Sequence, residues 1–593
     1  MSVKVEKVDN KNEVKLEFTI EAKVFEVAMK NIFTRTFAIL LVAVIAAGCV
    51  KETFPTGGSI TSEQIDASPN ALQYMVNGIP SAMMASGTAG YASQYGYHAD
   101  FGIAGIHLMT EAMLEDLTVG GDLGYWWFGA FTQNVSMGAD YIYCAYFWDC
   151  YYTWIKLAND IIIKAGEVTA DTDPTVINAL GQAYAYRAMC YLDLARLYTP
   201  KQNSLAPVSE DVLNLTVPIV DETTDEAKSK NNPRATIEEI YDFIMSDLAI
   251  AEEYLANAGN SYNQPTLAAL YGMYARAYLE LGAAYDKVDK KAYEKAAEYA
   301  RMAITVSGKT PLTGAQWLDP KSGFNDGSAN NSWIWGLSLS VENASNIISN
   351  IAHIAPEAVW GYSCLSWPSI NKALYELIDI NDFRKKAWLD PECTWDHYTD
   401  RMGNYTPDHG YKFAAADQRD ALDYFSYYAK PYTNIKFRPA EGECMDYTIG
   451  NCADHVLMRV EEMYFIEIEA TLYSEGIDAA KKLLNDFMQT YRYRSYDCSW
   501  VSSEQAFIKE MLLQKRIEFW GEGILMYDYK RLNQGITRGY AGTNWPAVAR
   551  FNTEGRSPQW NIVITRSEFQ SNTAINQANN NPDPTATMIP WTE

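Results

Sequence analysis

The sequence predicts a mainly α-helical protein: a tetratricopeptide-like scaffold of helical hairpins, interrupted by a loop-rich insert with minor β content. Three observations lead there. Apolar residues recur at helical period in several segments with recognisable caps. Small residues line those segments at intervals of three and four. Across residues 305–455 the period is lost, while Trp, Gly, Asn and Pro rise.

The N-terminal elements come first. Residues 1–28 are charged and mixed, whereas Met29-Lys30 makes a good start. Translation is therefore read as beginning at Met29, and the first 28 residues as a gene-start artefact. Lys30 and Arg35 precede an apolar run, Phe37 to Ala47, far shorter than the ~20 residues a membrane-spanning helix needs. Positive charge, a short apolar core and small residues describe a secretory signal, here residues 29–48. Ala46-Ala47-Gly48-Cys49 resembles the lipobox of bacterial lipoproteins, which implies that Cys49 is lipidated and becomes the new N-terminus. Residues 49–70 are polar and bear Gly and Pro, as a tether between lipid and body would.

The body, residues 71–593, reads as a single unit in three stretches. About 71–304 is helical scaffold, about 305–455 the insert, and about 456–593 further helices and a tail. Within the scaffold, "ATIEEIYDFIMSDLAIAEEYL" opens with Thr236 and has Glu239 three residues on, a capping box. Ile240, Ile244, Leu248, Ala251 and Leu255 then share one face. After Pro265, Ala268, Gly272 and Ala275 make a small-residue face, with Gly282 as C-cap. Ala296, Ala300 and Ala303 repeat that device in the next helix, so the two axes can approach closely. Residues 181–198 read alike, and residues 463–492 read as helix, Gly476 turn and helix. In the insert, "NSWIWGLSLS" looks extended, with Trp333 and Trp335 on one face and packed.

Composition narrows the function. Lys and Arg number 48 against 74 Asp and Glu, a net charge of −26. Such a surface repels phosphate backbones and anionic lipid, so nucleic-acid binding is disfavoured and membrane attachment falls to the anchor. Aromatic residues make up 13%, with 41 Tyr and 16 Trp; rings that stack on the apolar faces of sugars suit carbohydrate binding, although most are expected to fill gaps between helices. Beyond Cys49, eight cysteines are scattered. Cys144/Cys150 or Cys444/Cys452 are close enough in sequence to pair, free buried thiols being the commoner outcome. No CxxC, HExxH, GxSxG or GxxxxGK[ST] pattern occurs, and His98, His107, His353, His397, His409 and His455 show no metal-ligand spacing. Glu115-Asp116 is a conspicuous acidic pair, read as solvated or capping rather than catalytic. "NDGSANNS" (325–332) offers oxygen ligands but lacks the bidentate glutamate of a calcium loop, and is read as a plain loop. No cofactor and no metal are expected.

Several segments together resemble the SusD/RagB family of surface lipoproteins from Bacteroidetes nutrient-uptake systems. Trp148, Tyr152, Ile155 and Asn159 resemble its Trp-x3-Tyr-x2-Ile helix; "AYAYRAMCYLDLARLY" and the later "VPIV" (217–220) resemble its Arg-Ala-Tyr helix and Val-Pro step. Arg459, Glu462, Glu469 and Ala470 are similar to its Arg-x-x-Glu helix. Arg516, Glu518, Glu522, Gly523, Asp528 and Arg531 are similar to its Glu-Gly signature. The chain departs from the pattern at Lys515-Arg516, at Ile524 or Leu525 where an arginine is usual, and at Thr565 in place of a proline. The charged signature residues read as interhelical ion pairs and caps.

The resemblance implies a SusD-like fold, no enzymatic activity, and delivery of a bound oligosaccharide (or, in some members, peptide) to a SusC-type TonB-dependent barrel transporter. It implies an outer-membrane, lipid-anchored and surface-exposed position. The ligand-binding candidates are Tyr125, Trp126 and Trp127 in the glycine-flanked "GGDLGYWWFGAF", and Trp360, Tyr362 and Trp367 in the insert, where Trp360 and Trp367 are expected to be the exposed pair. Competing readings are a lipid-anchored glycoside hydrolase and a helical scaffold for peptide or protein partners.

Overall fold

The computed structural model describes residues 70–593 except 88, 120–125, 342–343, 346, 392–412, 419, 422–423 and 426–429. The gene-start, signal, Cys49 and tether readings lie outside the described residues, as does Tyr125. From Leu72 onward the chain forms one compact unit, and no described helix is long and apolar enough to cross a membrane.

The scaffold is a run of helices that pack in chain order. After α1 (Ile103–Ala112) come α2 (Ile142–Ala165), α3 (Pro174–Tyr198), α4 (Ile237–Tyr254), α5 (Leu267–Leu281) and α6 (Lys290–Ser307). Each of α2 to α6 packs on its successor. Helix α4 starts at Thr236 with the capping box in place: Glu239 N–H donates to Thr236 Oγ1, and Thr236 N–H to Glu239 Oε2. Its face of Ile240, Ile244, Leu248 and Ala251 is buried. So are Ala268, Gly272 and Ala275 of α5 and Ala296, Ala300 and Ala303 of α6. Gly282 caps α5.

The insert then leaves the array, and the array resumes where it stopped. Helix α7 (Val460–Ser474) packs on α6, α8 (Ile477–Tyr491) on α7, and α9 (Glu504–Glu518) on both α7 and α8; α10 (Leu525–Arg531) follows. Two small antiparallel pairs tie the insert down. Strand β2 (Trp333–Leu337) pairs with β4 (His455–Arg459), closing the insert's two ends. Strand β1 (Leu117–Val119) pairs with β3 (Pro368–Ile370), Leu117 facing Ile370 and Val119 facing Pro368. Trp333 and Trp335 are fully buried, as their place in an extended core segment predicts.

Charged signature residues join the helices. Arg187 on α3 makes paired 2.8 Å bonds to Asp247 on α4 and reaches Asn159 on α2 at 2.7 Å. Arg276 on α5 meets Glu462 on α7 at 2.6 and 2.7 Å. Arg531 joins Glu469 and Glu280. At the centre, Glu518 accepts from Arg459, Arg492 and Arg384 at 2.6–2.8 Å, and Glu522 from Arg459 and Lys436. Burial alone would raise the Glu518 pKa, yet the three guanidiniums override it and hold the carboxyl well below its usual range. The departures at Lys515 and Leu525 are absorbed locally. Lys515 pairs with Asp528, and Leu525 is core.

One expectation changes here. Glu115 and Asp116 are neither solvated nor capping: both are buried, Asp116 taking two bonds from Arg516 and Glu115 one each from the Tyr529 hydroxyl and the Thr537 N–H. The sequence hides this because Arg516 lies 400 positions away. The cysteines follow the commoner outcome: among the described residues Cys144, Cys150, Cys190, Cys364, Cys444 and Cys498 are free thiols, so neither Cys144/Cys150 nor Cys444/Cys452 is bridged.

Candidate functional site

The β1/β3 register decides where the rings go. Because the pair is antiparallel and Val119 faces Pro368, the chain leaving β1 and the chain entering β3 lie at the same end. Trp127 follows β1 in the short 3₁₀ turn Trp126–Phe128, and Tyr362 precedes β3 at the start of the turn Ser363–Ser366. Two segments more than 200 residues apart are thus brought into contact.

Their rings form one cluster with His98. The imidazole stacks on Trp127 at a centroid distance of 4.6 Å and an interplanar angle of 28°. Its Nδ1 is 2.6 Å from the Tyr362 hydroxyl. Trp127 meets Tyr362 edge-on at 6.4 Å. All three are half-buried, so each is held from behind while part of its surface stays open to solvent.

Beneath them lies a closed layer. His353 contacts Tyr362 at 5.2 Å, Phe101 at 5.0 Å and Phe128 at 5.4 Å, and Tyr97 packs edge-on against Trp127 at 6.1 Å. His353 is fully buried, and its Nδ1–H donates to the Ser349 carbonyl at 2.9 Å. Burial, with His98 nearby, pushes its pKa down to about 4; burial also lowers that of His98. Both rings are therefore neutral at pH 7, each with one N–H donor and one acceptor nitrogen. Gly361 makes the approach possible: a Cβ there would sit 2.6 Å from Ala352 Cα and carbonyl oxygen.

The other candidates part company. Trp360 is half-buried against Ile351, Ala355, Ala358, Ala440 and Ala453, its Nε1–H donating to Asn451 Oδ1 at 3.2 Å. Trp367 corrects the expectation of an exposed pair. It is only 5% exposed and its ring fills a satellite core with Leu389, Phe413 and Phe425; the adjoining Gly, Ser and Pro described its backbone turn, not its environment. The backbone of Trp126 lies in the 3₁₀ turn, and its side chain is outside the described residues. Sequence reasoning missed His98 and His353, because it weighed histidines only as metal ligands. The signal was "YGYHADFG", a glycine-flanked aromatic stretch of the same kind as "GYWWFG". Among the described residues no cluster of His, Cys, Asp and Glu is arranged to hold a metal.

The arrangement offers flat apolar faces beside ring nitrogens and a hydroxyl. That combination binds a ligand with an apolar face and polar edges.

Comparison with known proteins places the chain in a family. Residues 369–589 match the profile of the SusD family, and residues 104–279 match a related profile described as starch-binding associating with outer membrane. Between them the two cover more than half of the chain, which belongs to the SusD/RagB family. A curated relative, SusD-like protein P2 of Formosa agariphila, is 23% identical over 448 residues, 72% of this chain and 79% of its own length. Among solved structures, a SusD-like carbohydrate binding protein from Bacteroides vulgatus aligns with a TM-score of 0.62 at 21% identity, over 86% of this chain and 97% of that one. Surface glycan-binding protein A from Bacteroides thetaiotaomicron, in complex with laminarihexaose, aligns with a TM-score of 0.56 at 18% identity, over 86% and 99%.

Proposed function

We propose that this protein is a non-catalytic glycan-binding lipoprotein of the outer membrane, which holds an oligosaccharide at its surface and passes it to a SusC-type TonB-dependent barrel. The observation that carries the reading is the junction of Trp127, His98 and Tyr362: half-open rings with hydrogen-bonding edges, supplied by separate segments and fixed by the β1/β3 pair. The fold shared with a laminarihexaose-bound glycan-binding protein supports it. Tyr125, Trp126 and Trp360 are kept as further ligand-binding candidates. Engagement of Glu115 and Asp116 by Arg516 weighs against their acting as the paired carboxylates of a glycoside hydrolase.

Lipidation at Cys49 with a flexible tether keeps the body close to its transporter while letting it move, raising the effective concentration of ligand above the pore. Two measurements test these assignments. Titration against a panel of oligosaccharides should give binding with no release of new reducing ends; turnover would replace this reading with hydrolysis. Cys49→Ala should abolish incorporation of labelled fatty acid, and persistent labelling would refute the anchor.

A further inference from the structure

Most tryptophans whose side chains are described here are buried, but Trp500 is 68% exposed. It lies in the connection between α8 and α9, and that connection is held firmly. Asp497 Oδ1 and Oδ2 accept from the Ser499 N–H and hydroxyl, both at 2.8 Å. The Cys498 N–H donates to Asn485 Oδ1 at 2.9 Å, and Cys498 and Val501, on either side of the turn, are both buried. The indole itself is tethered, Nε1–H donating to the Asp497 carbonyl at 3.1 Å. A ring fixed by its own nitrogen and by buried neighbours, yet left open, is displayed rather than loose.

Trp500 forms one wall of a groove of about 400 Å³, a volume within the ~300–1,000 Å³ range of small-molecule sites. Leu377, 60% exposed, and Leu513 supply further apolar surface, while Lys509, Glu510 and Gln534 supply polar edges. The charge of the lining is largely consumed within the protein. Arg516 at the floor is committed to Asp116 and Glu115, and Glu510 accepts from the Tyr496 hydroxyl at 2.7 Å and Gln514 at 3.0 Å. Lys509 has no ion-pair partner among the described residues. One lysine on a chain of net charge −26 does not make an anion site. The chemistry left is a flat apolar platform bordered by the hydrogen-bonding groups of Lys509, Glu510 and Gln534.

We infer that the Trp500 groove is a second saccharide site, taking a neutral sugar ring stacked on the indole with its hydroxyls directed to Lys509, Glu510 and Gln534. It shares no residue with the Trp127–Tyr362 cluster, so one polymer chain, or two, can be held at two points. Two weak contacts on one polysaccharide multiply in avidity. This inference rests on the glycan-binding reading proposed above.

The test compares wild type, Trp500→Ala, Trp500→Phe and Trp127→Ala in native gels cast with laminarin or starch, alongside calorimetry with laminarihexaose and maltohexaose. Trp500 is exposed, so its variants should melt within about 1 °C of wild type. Trp500→Ala should weaken retardation in the gels by roughly fivefold, the worth of about one stacked ring, with Trp500→Phe in between. If Trp500→Ala matches wild type in every gel that retards wild type while Trp127→Ala does not, the second site is refuted and the first stands. If only Trp500→Ala loses retardation, the second site stands and the Trp127 assignment fails. If no glycan retards wild type, both fall. Loss of a co-purifying protein in Trp500→Ala with gel mobility unchanged would make the groove a protein contact and overturn the saccharide assignment.

Discussion

The buried centre around Glu518 and the ring cluster around Trp127 use conspicuous residues to opposite ends. At the centre, Glu518 and Glu522 face Arg384, Arg459, Arg492 and Lys436, all nearly inaccessible, and every carboxylate oxygen of the two glutamates has a donor. Nothing there is left for a ligand. In the ring cluster, Trp127, His98 and Tyr362 contact one another and a buried layer below, yet remain half-open. The lesson is that buried charge, when mutually satisfied, marks the scaffold, whereas partly open rings braced from behind are the surface that the proposed function assigns to the ligand. A perturbed pKa in this molecule points to packing more often than to chemistry.

Predictions that would break the comparison run from the largest effect to the smallest. Glu518→Gln strips three guanidiniums of their shared carboxylate and should cost about 3–5 kcal/mol in stability, read as a lowered urea midpoint. A change below about 1 kcal/mol would mean that the network is not what joins α7, α8, α9 and the insert. Next, Trp127→Ala and Tyr362→Ala should each weaken oligosaccharide binding by about 1–2 kcal/mol, measured by calorimetry, while Tyr362→Phe, which keeps the ring and loses only the bond to His98, should cost less.

Acid offers a third handle. His107 and His353 are buried and neutral, with pKa values pushed down by burial to about 3 and about 4. Unfolded, each would titrate near ~6.5. A folded pKa below the unfolded one gives stability that is full above pH ~6.5 and is lost as pH falls toward 4 and 3. The melting temperature should therefore drop progressively below pH ~6.5, and His353→Asn, which keeps a donor for the Ser349 carbonyl, should make that slope shallower. The smallest effect belongs to the capping box: Thr236→Ala should cost about 1 kcal/mol and leave binding untouched.

How far the sequence discloses each region follows from the range of its interactions. Helix α4 is legible because its cap and its stripe are local, as are the small-residue faces of α5 and α6. The ion pairs are legible in kind through the family signature, though Arg516 with Asp116 required the fold. Gly523 shows why the signature holds a glycine: its φ is +74° and a Cβ would lie 2.4 Å from that of His107. The site is legible only in part. Trp127 and Tyr362 stand out by composition, but their contact depends on a three-residue strand pair that no local period announces. Trp367 misleads for the same reason, since its burial comes from Leu389, Phe413 and Phe425 rather than from its sequence neighbours.

The central claim is that open rings bind and buried charges only support. Its most direct test is a pair of measurements, oligosaccharide affinity and thermal stability, on wild type, Trp127→Ala and Glu518→Gln, using a glycan that retards wild type in native gels. The account predicts that Trp127→Ala loses affinity by roughly fivefold or more with a modest loss of stability, while Glu518→Gln loses stability but, below its melting point, binds as wild type does. Affinity lost in Glu518→Gln and kept in Trp127→Ala would contradict it.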